Sequence, residues 1–188
     1  IDMAQHVGGM ELWGLNNGYM PFAHLLGGFS RWFEVHDWEY LKTWDSGAQD
    51  HFRELAKLPC PVWVQQPLPC VNDQRIVDFV TIADHFDTNY YLGSPSIMLM
   101  LALYEHDKGD TVEEIRSWGI DTSDPSHAQQ RQSWAFWISK AIERGIKLTG
   151  TSTAFFLEQE KDGGLQGLAQ RTGDAVQARR DSKLRGEM

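Results

Sequence analysis

Short apolar runs alternate along this chain with longer segments whose apolar residues recur at helical spacing. The stretch MELWGLN at residues 10–16 predicts a strand that stops on Asn16 and Asn17. RWFEVH at 31–36 predicts a second strand, and PVWVQ at 61–65 a third, both rich in aromatic and branched side chains. Between them, residues 38–58 carry apolar positions suited to a helix that Gly47 weakens and Pro59 ends. Asp73 is placed to cap a helix whose apolar face is Ile76, Val77, Val80, Ile82, Ala83 and Phe86. YYLG at 90–93 returns to the core, and Ser94 or Ser96 opens a strongly apolar helix to about His106. EIRSWGI at 114–120 is the next strand, followed by a helix over 126–144 that Gly145 ends in the left-handed conformation. IKLT at 146–149 is the last strand, and 152–161 a short closing helix.

Strand–helix–strand units at this spacing predict an α/β domain over residues 1–161, with a mostly parallel sheet covered by helices on both faces. From residue 162 to 188 the composition shifts to glycine, glutamine, alanine and charge, which is read as a C-terminal tail, flexible or helical, able to dock on a protein partner.

Composition narrows the function classes. Of 188 residues, 41% are hydrophobic and 23% charged, as in soluble globular proteins. No apolar run approaches the roughly 18 residues of a membrane span, so no membrane association is expected. The net charge of −9 argues against direct nucleic-acid binding. Two cysteines, Cys60 and Cys70, are too few for a disulfide framework and are read as free thiols of a reducing compartment. No secretory signal is visible. A Walker motif, a G-x-G-x-x-G turn, a complete nucleophile elbow and zinc-ligand spacing are all missing, and no metal site is expected. The pairs His36-Asp37 and His106-Asp107 are read as surface or loop-end polar groups.

What remains is polar chemistry where strands stop. Asn16 and Asn17 follow the first strand, His36 and Asp37 the second, Gln65 and Gln66 the third, and Gly119 and Asp121 the strand at 114–120. Gly93, Ser94 and Ser96 precede the apolar helix. In open α/β sheets the ligand crevice lies beyond the carboxyl ends of the strands. Amide side chains suit a base or sugar hydroxyls, and small residues before a helix admit a phosphate to its N–H groups. The pattern points to a nucleotide or nucleotide-sugar ligand.

The order LWGLNNGY, RWFEVH, YYLGSPSIMLMLALYE, EIRSWGID and AIERGIKL resembles a Rossmann-like family common in bacteriophage genomes. More distantly it is similar to the sialyltransferases of glycosyltransferase family 42 and to the methanogen-type hydroxymethylpterin pyrophosphokinase group. The resemblance covers about residues 10–156 and implies a Rossmann-like fold. It implies ligand contacts at Asn16 or Asn17, at Ser94 or Ser96, and at Gly119 with Asp121. The family's glycine-rich first strand and loop are expected to precede Ile1. Its catalytic histidine sits in a longer insertion after G-I-D, whereas here the next histidine is His127, six residues on from Asp121. His127, near that strand end, and His36, at the end of the second strand, are the two candidate bases toward an acceptor hydroxyl.

Two principal readings stay open. One is a metal-independent transferase, glycosyl transfer from a nucleotide-sugar, acting in an infected cell's cytoplasm or on the virion. The other is a non-catalytic phage structural or interaction protein, in which some of the eight tryptophans serve as interface anchors. Pyrophosphoryl transfer ranks behind both, because it calls for clustered carboxylates beyond Asp121 and Asp124.

Overall fold

The computed structural model describes residues 10–20, 28–43, 47–69, 71–120 and 127–150. The chain divides into two compact units, one ending at Thr88 and the other starting at Asn89. The expected helix at 152–161, the tail at 162–188, Cys70 and Asp121 lie outside the described residues.

The first unit is built on four parallel strands in sequential order: β1 (Trp13–Leu15), β2 (Arg31–Glu34), β3 (Val62–Val64) and β4 (Gln74–Ile76). The register sets Leu15 beside Phe33, Glu34 beside Val64, and Val64 beside Ile76. Trp32, Phe33 and Glu34 are all buried, so β2 is covered on both faces. Side chains alternate between those faces. On one, Phe33 packs between Trp13 and Trp63, and the Arg31 guanidinium lies over both indoles while pairing with Glu11. On the other, Trp32, Val62 and Val64 join Phe29, Leu41, Phe52 and Leu55 in the main core.

That core is closed by α1 (Trp38–Leu41) and α2 (Gly47–Leu55); Gly47, expected to weaken the middle of a helix over 38–58, is the first residue of α2. Asp37 caps α1 by accepting the Glu39 N–H at 2.7 Å. At Gly14 the missing side chain matters: the Trp32 ring occupies the space a Cβ would take. The Trp32 Nε1–H is then satisfied by the Asn16 carbonyl at 3.1 Å.

The predicted helix from Asp73 is corrected. Residues 74–76 form an edge strand, and α3 (Phe79–Phe86) starts later, capped by Asp78, which accepts from the Thr81 N–H and hydroxyl. The reason is long-range pairing. Val62 N–H donates to Asp73 O and Val77 N–H to Val64 O, both 2.9 Å, which no local period reveals. The short parallel connection is held by Gln74, whose amide accepts from Leu68 N–H and donates to the Leu68 and Val71 carbonyls.

The second unit contains α4 (Ser94–Lys108), β5 (Glu114–Ser117), α5 (Ala128–Glu143) and β6 (Lys147–Gly150). β5 and β6 form a two-stranded parallel sheet, and α4 packs on α5. The apolar run 97–104 is buried through much of α4, as its composition requires. Trp137 is fully buried and donates from Nε1 to Tyr90 O at 2.8 Å. Gly145 takes a φ of 74° after α5, the expected left-handed ending. All pairing between described strands is parallel, so the α/β class and its mainly parallel character hold. No helix among the described residues is long and apolar enough to cross a membrane.

Candidate functional site

The β2 strand of the first unit ends in a carboxylate that an apolar strand has no structural need for. Glu34 shares the core-facing side of the sheet with Trp32 and is 0% exposed. An isolated charge there would be strongly unfavourable, so it must be paired and hydrogen-bonded. Both oxygens are. Oε1 accepts from the His36 backbone N–H at 3.1 Å and lies 2.7 Å from His36 Nδ1. Oε2 lies 2.7 Å from Nε2 of His51, which α2 carries into the core at 3% exposure. His51 Nδ1 in turn lies 2.8 Å from the hydroxyl of Tyr19, a buried residue of the β1–β2 connection.

The protonation pattern follows from the partners. Burial raises the Glu34 carboxyl, but hydrogen bonds from His36 and His51, the attraction to His36 and its backbone N–H outweigh this and hold it down at about 2. Burial, with the negative charges of Glu54, Glu34 and Asp50, raises the Tyr19 phenol, so it stays a hydroxyl and donates to His51 Nδ1. The neutral His51 ring then carries its proton on Nε2, aimed at the carboxylate. His36 meets the same carboxylate through Nδ1, which puts the basic lone pair of its neutral ring on Nε2. The His36 side chain is 30% exposed while Glu34 is fully enclosed. Solvent-side imidazole backed by a buried carboxylate is an arrangement suited to taking a proton from a hydroxyl.

The surrounding edge collects several residues expected from the sequence. Asn16, at φ 48°, sits beyond β1, with its N–H donating to Phe33 O at 2.8 Å. Asn17 is exposed in the following turn, and Gln65 and Gln66 follow β3. Asn16, Asn17 and His36 thus lie past the ends of neighbouring parallel strands. Asp37, paired with His36 in the sequence reading, instead caps α1; the partner of His36 is Glu34. His36 lies at a loop end as expected, and the buried carboxylate behind it is what the sequence pattern does not show.

The other expected residues belong to the second unit. Ser94 and Ser96 are buried in the first turn of α4, which follows Gly93 at φ 80°. The Ser96 and Ser117 hydroxyls have no hydrogen-bond partner among the described residues, and neither has His127 Nδ1 at the start of α5. Gly119 is exposed at φ 69°. His127 has no carboxylate partner comparable to Glu34 among the described residues.

Glu34, His51 and Tyr19 are not among the residues to which the sequence pattern points. Glu34 did leave a signal: it is the lone acid inside RWFEVH, two residues before His36 and therefore on the same side of an extended strand. His51 and Tyr19 left none, because only the packing of α2 and the β1–β2 connection brings them to the carboxylate.

No group of three or more His, Cys, Asp or Glu among the described residues is arranged to hold a metal ion. In comparisons with protein-family models, curated proteins and solved structures, the chain has no match, and its chemistry is read from its own residues.

Proposed function

We propose that this chain is a transferase in which His36 deprotonates an acceptor hydroxyl while Glu34 orients the imidazole and compensates the imidazolium that forms. The observation that carries this reading is the fully buried Glu34 carboxylate 2.7 Å from His36 Nδ1. A carboxyl held at about 2 stays ionised throughout the neutral range, so the compensating charge is always in place. A base of this kind contributes roughly 10²–10⁴-fold, with positioning of the reactants supplying much of the rest.

A nucleotide-sugar donor and a phage setting are supported by the sequence resemblance. The amides of Asn16, Asn17, Gln65 and Gln66 beyond the parallel strands add donors and acceptors suited to a base or sugar. The finer fold assignment, a Rossmann-like sheet, is part of the same proposal and is supported by parallel pairing throughout the described strands. His36 takes the base role ahead of His127 because it has a carboxylate behind it.

The test begins with calorimetric titration of CMP, UMP, GMP and AMP, followed by hydrolysis and transfer assays with the sugar conjugate of whichever binds. His36→Gln should retain nucleotide binding and lose roughly 10²–10⁴-fold in transfer. Unchanged transfer removes His36 from the mechanism. If no nucleotide binds, the glycosyl-donor reading falls.

A further inference from the structure

Two of the hydrogen bonds described above lie behind Glu34, on the side away from solvent. Tyr19 and His51 are 8% and 3% exposed, so neither is available to contact a substrate. Their rings also stack, with centroids 5.6 Å apart, and His51 packs on Phe52 of the core. This burial of polar groups is costly unless it is fully satisfied, and a greasy pair would fill the same volume without that demand.

The terminal torsion of a glutamate side chain is broad, so a carboxylate held at one oxygen only can swing. His36 engages Oε1 with both its backbone N–H and Nδ1, at 3.1 and 2.7 Å. His51 engages Oε2 from the other side at 2.7 Å, and Tyr19 pins the far nitrogen of His51 at 2.8 Å. Bonding at both oxygens leaves one orientation of the carboxylate. From this geometry we infer that Tyr19 and His51 are positioning residues: they hold Glu34 as an oriented, ionised carboxylate, and through it fix the ring of His36 with its proton on Nδ1. The catalytic consequence rests on the proposal that His36 is a base. The hydrogen-bonded chain itself is measurable with no substrate present.

The experiment is NMR on the full chain with ¹⁵N-labelled histidine and ¹³C-labelled glutamate side chains. In the wild-type protein at alkaline pH, His36 carries its proton on Nδ1 and His51 on Nε2, each in at least about tenfold excess over the other tautomer. The His36 result is the more telling, because free neutral histidine favours Nε2–H. Glu34 titrates at about 2. His51→Phe keeps an aromatic ring in place and removes the donor, so the Glu34 titration moves upward and the His36 Nδ1–H resonance broadens or is lost. His51→Gln restores a donor and recovers both signals in part. Tyr19→Phe removes a single hydroxyl and raises solvent exchange of the His51 ring N–H by at least about tenfold.

If His51→Phe folds with the Glu34 titration and the His36 resonance unchanged, the positioning role is overturned and His51 only packs. If His51→Phe does not fold, Tyr19→Phe decides, and unaltered His51 exchange overturns the proposal. Failure of the base reading has a different signature: His36→Gln keeps full transfer activity while the Glu34 titration still responds to His51.

Discussion

Replacing Glu34 with Gln is the most direct probe of the buried carboxylate, because glutamine mimics the protonated acid in size and shape. The carboxyl is held at about 2 in the folded protein against 4.5 as its ordinary value. Ionisation therefore favours the folded state by ~3 kcal/mol once the pH is above both values. Since the folded value is the lower one, this contribution is complete above pH 4.5 and is lost as the pH falls toward about 2. Glutamine forfeits it at every pH but leaves the rest of the network repairable. Its oxygen can still accept from His36, and its N–H₂ can face His51 if that ring moves its proton to Nδ1 and the Tyr19 hydroxyl turns to accept. The variant should fold and be less stable than wild type by ~3 kcal/mol at pH 7, narrowing to roughly half that at pH 3. Urea unfolding followed by tryptophan fluorescence across this range measures the gap, with Trp32 as a nearby reporter. A gap that stays constant as the pH falls, or one under about 1 kcal/mol at pH 7, would refute the assignment of Glu34 as a charge stabilised by its imidazole partners.

Two further outcomes test the packing around the site. Gly14→Ala places a methyl group in the space of the fully buried Trp32 ring, which cannot withdraw, and should cost about 1–3 kcal/mol in thermal or urea unfolding; an unchanged midpoint would show that the ring has room to move. The Cys60 thiol is pushed up to about 11 by burial, with Asp73 adding to it, so in a Cys70→Ser background its reaction with a thiol reagent at pH 8 should be at least about a hundredfold slower in the native protein than in urea. Comparable rates would mean that the Cys60 environment is open.

The chain's own pattern was enough to locate most elements of the described structure. Local signals sufficed for β2, for the apolar helix α4 and for the left-handed ending of α5, because propensity, period and turn chemistry act over a few residues. They failed at β4. An edge strand with half-buried and exposed residues has no alternation to display, and residues 74–76 are a strand because β3 offers them hydrogen bonds.

The site divides the same way. Asn16 and His36 were identifiable because strand ends can be read from sequence, and parallel pairing carries those ends to one edge. Glu34 was half legible, as an acid out of place in an apolar strand. Its partners were not: His51 stands 17 residues away in sequence and Tyr19 another 32 from His51. A charge in the core is tolerable only where several donors converge on it, and convergence is a property of packed elements. That polar residues would follow the strands is legible in local pattern, because strand ends are set over a few residues. That one histidine of this edge has a carboxylate held behind it comes from packing between elements distant along the chain.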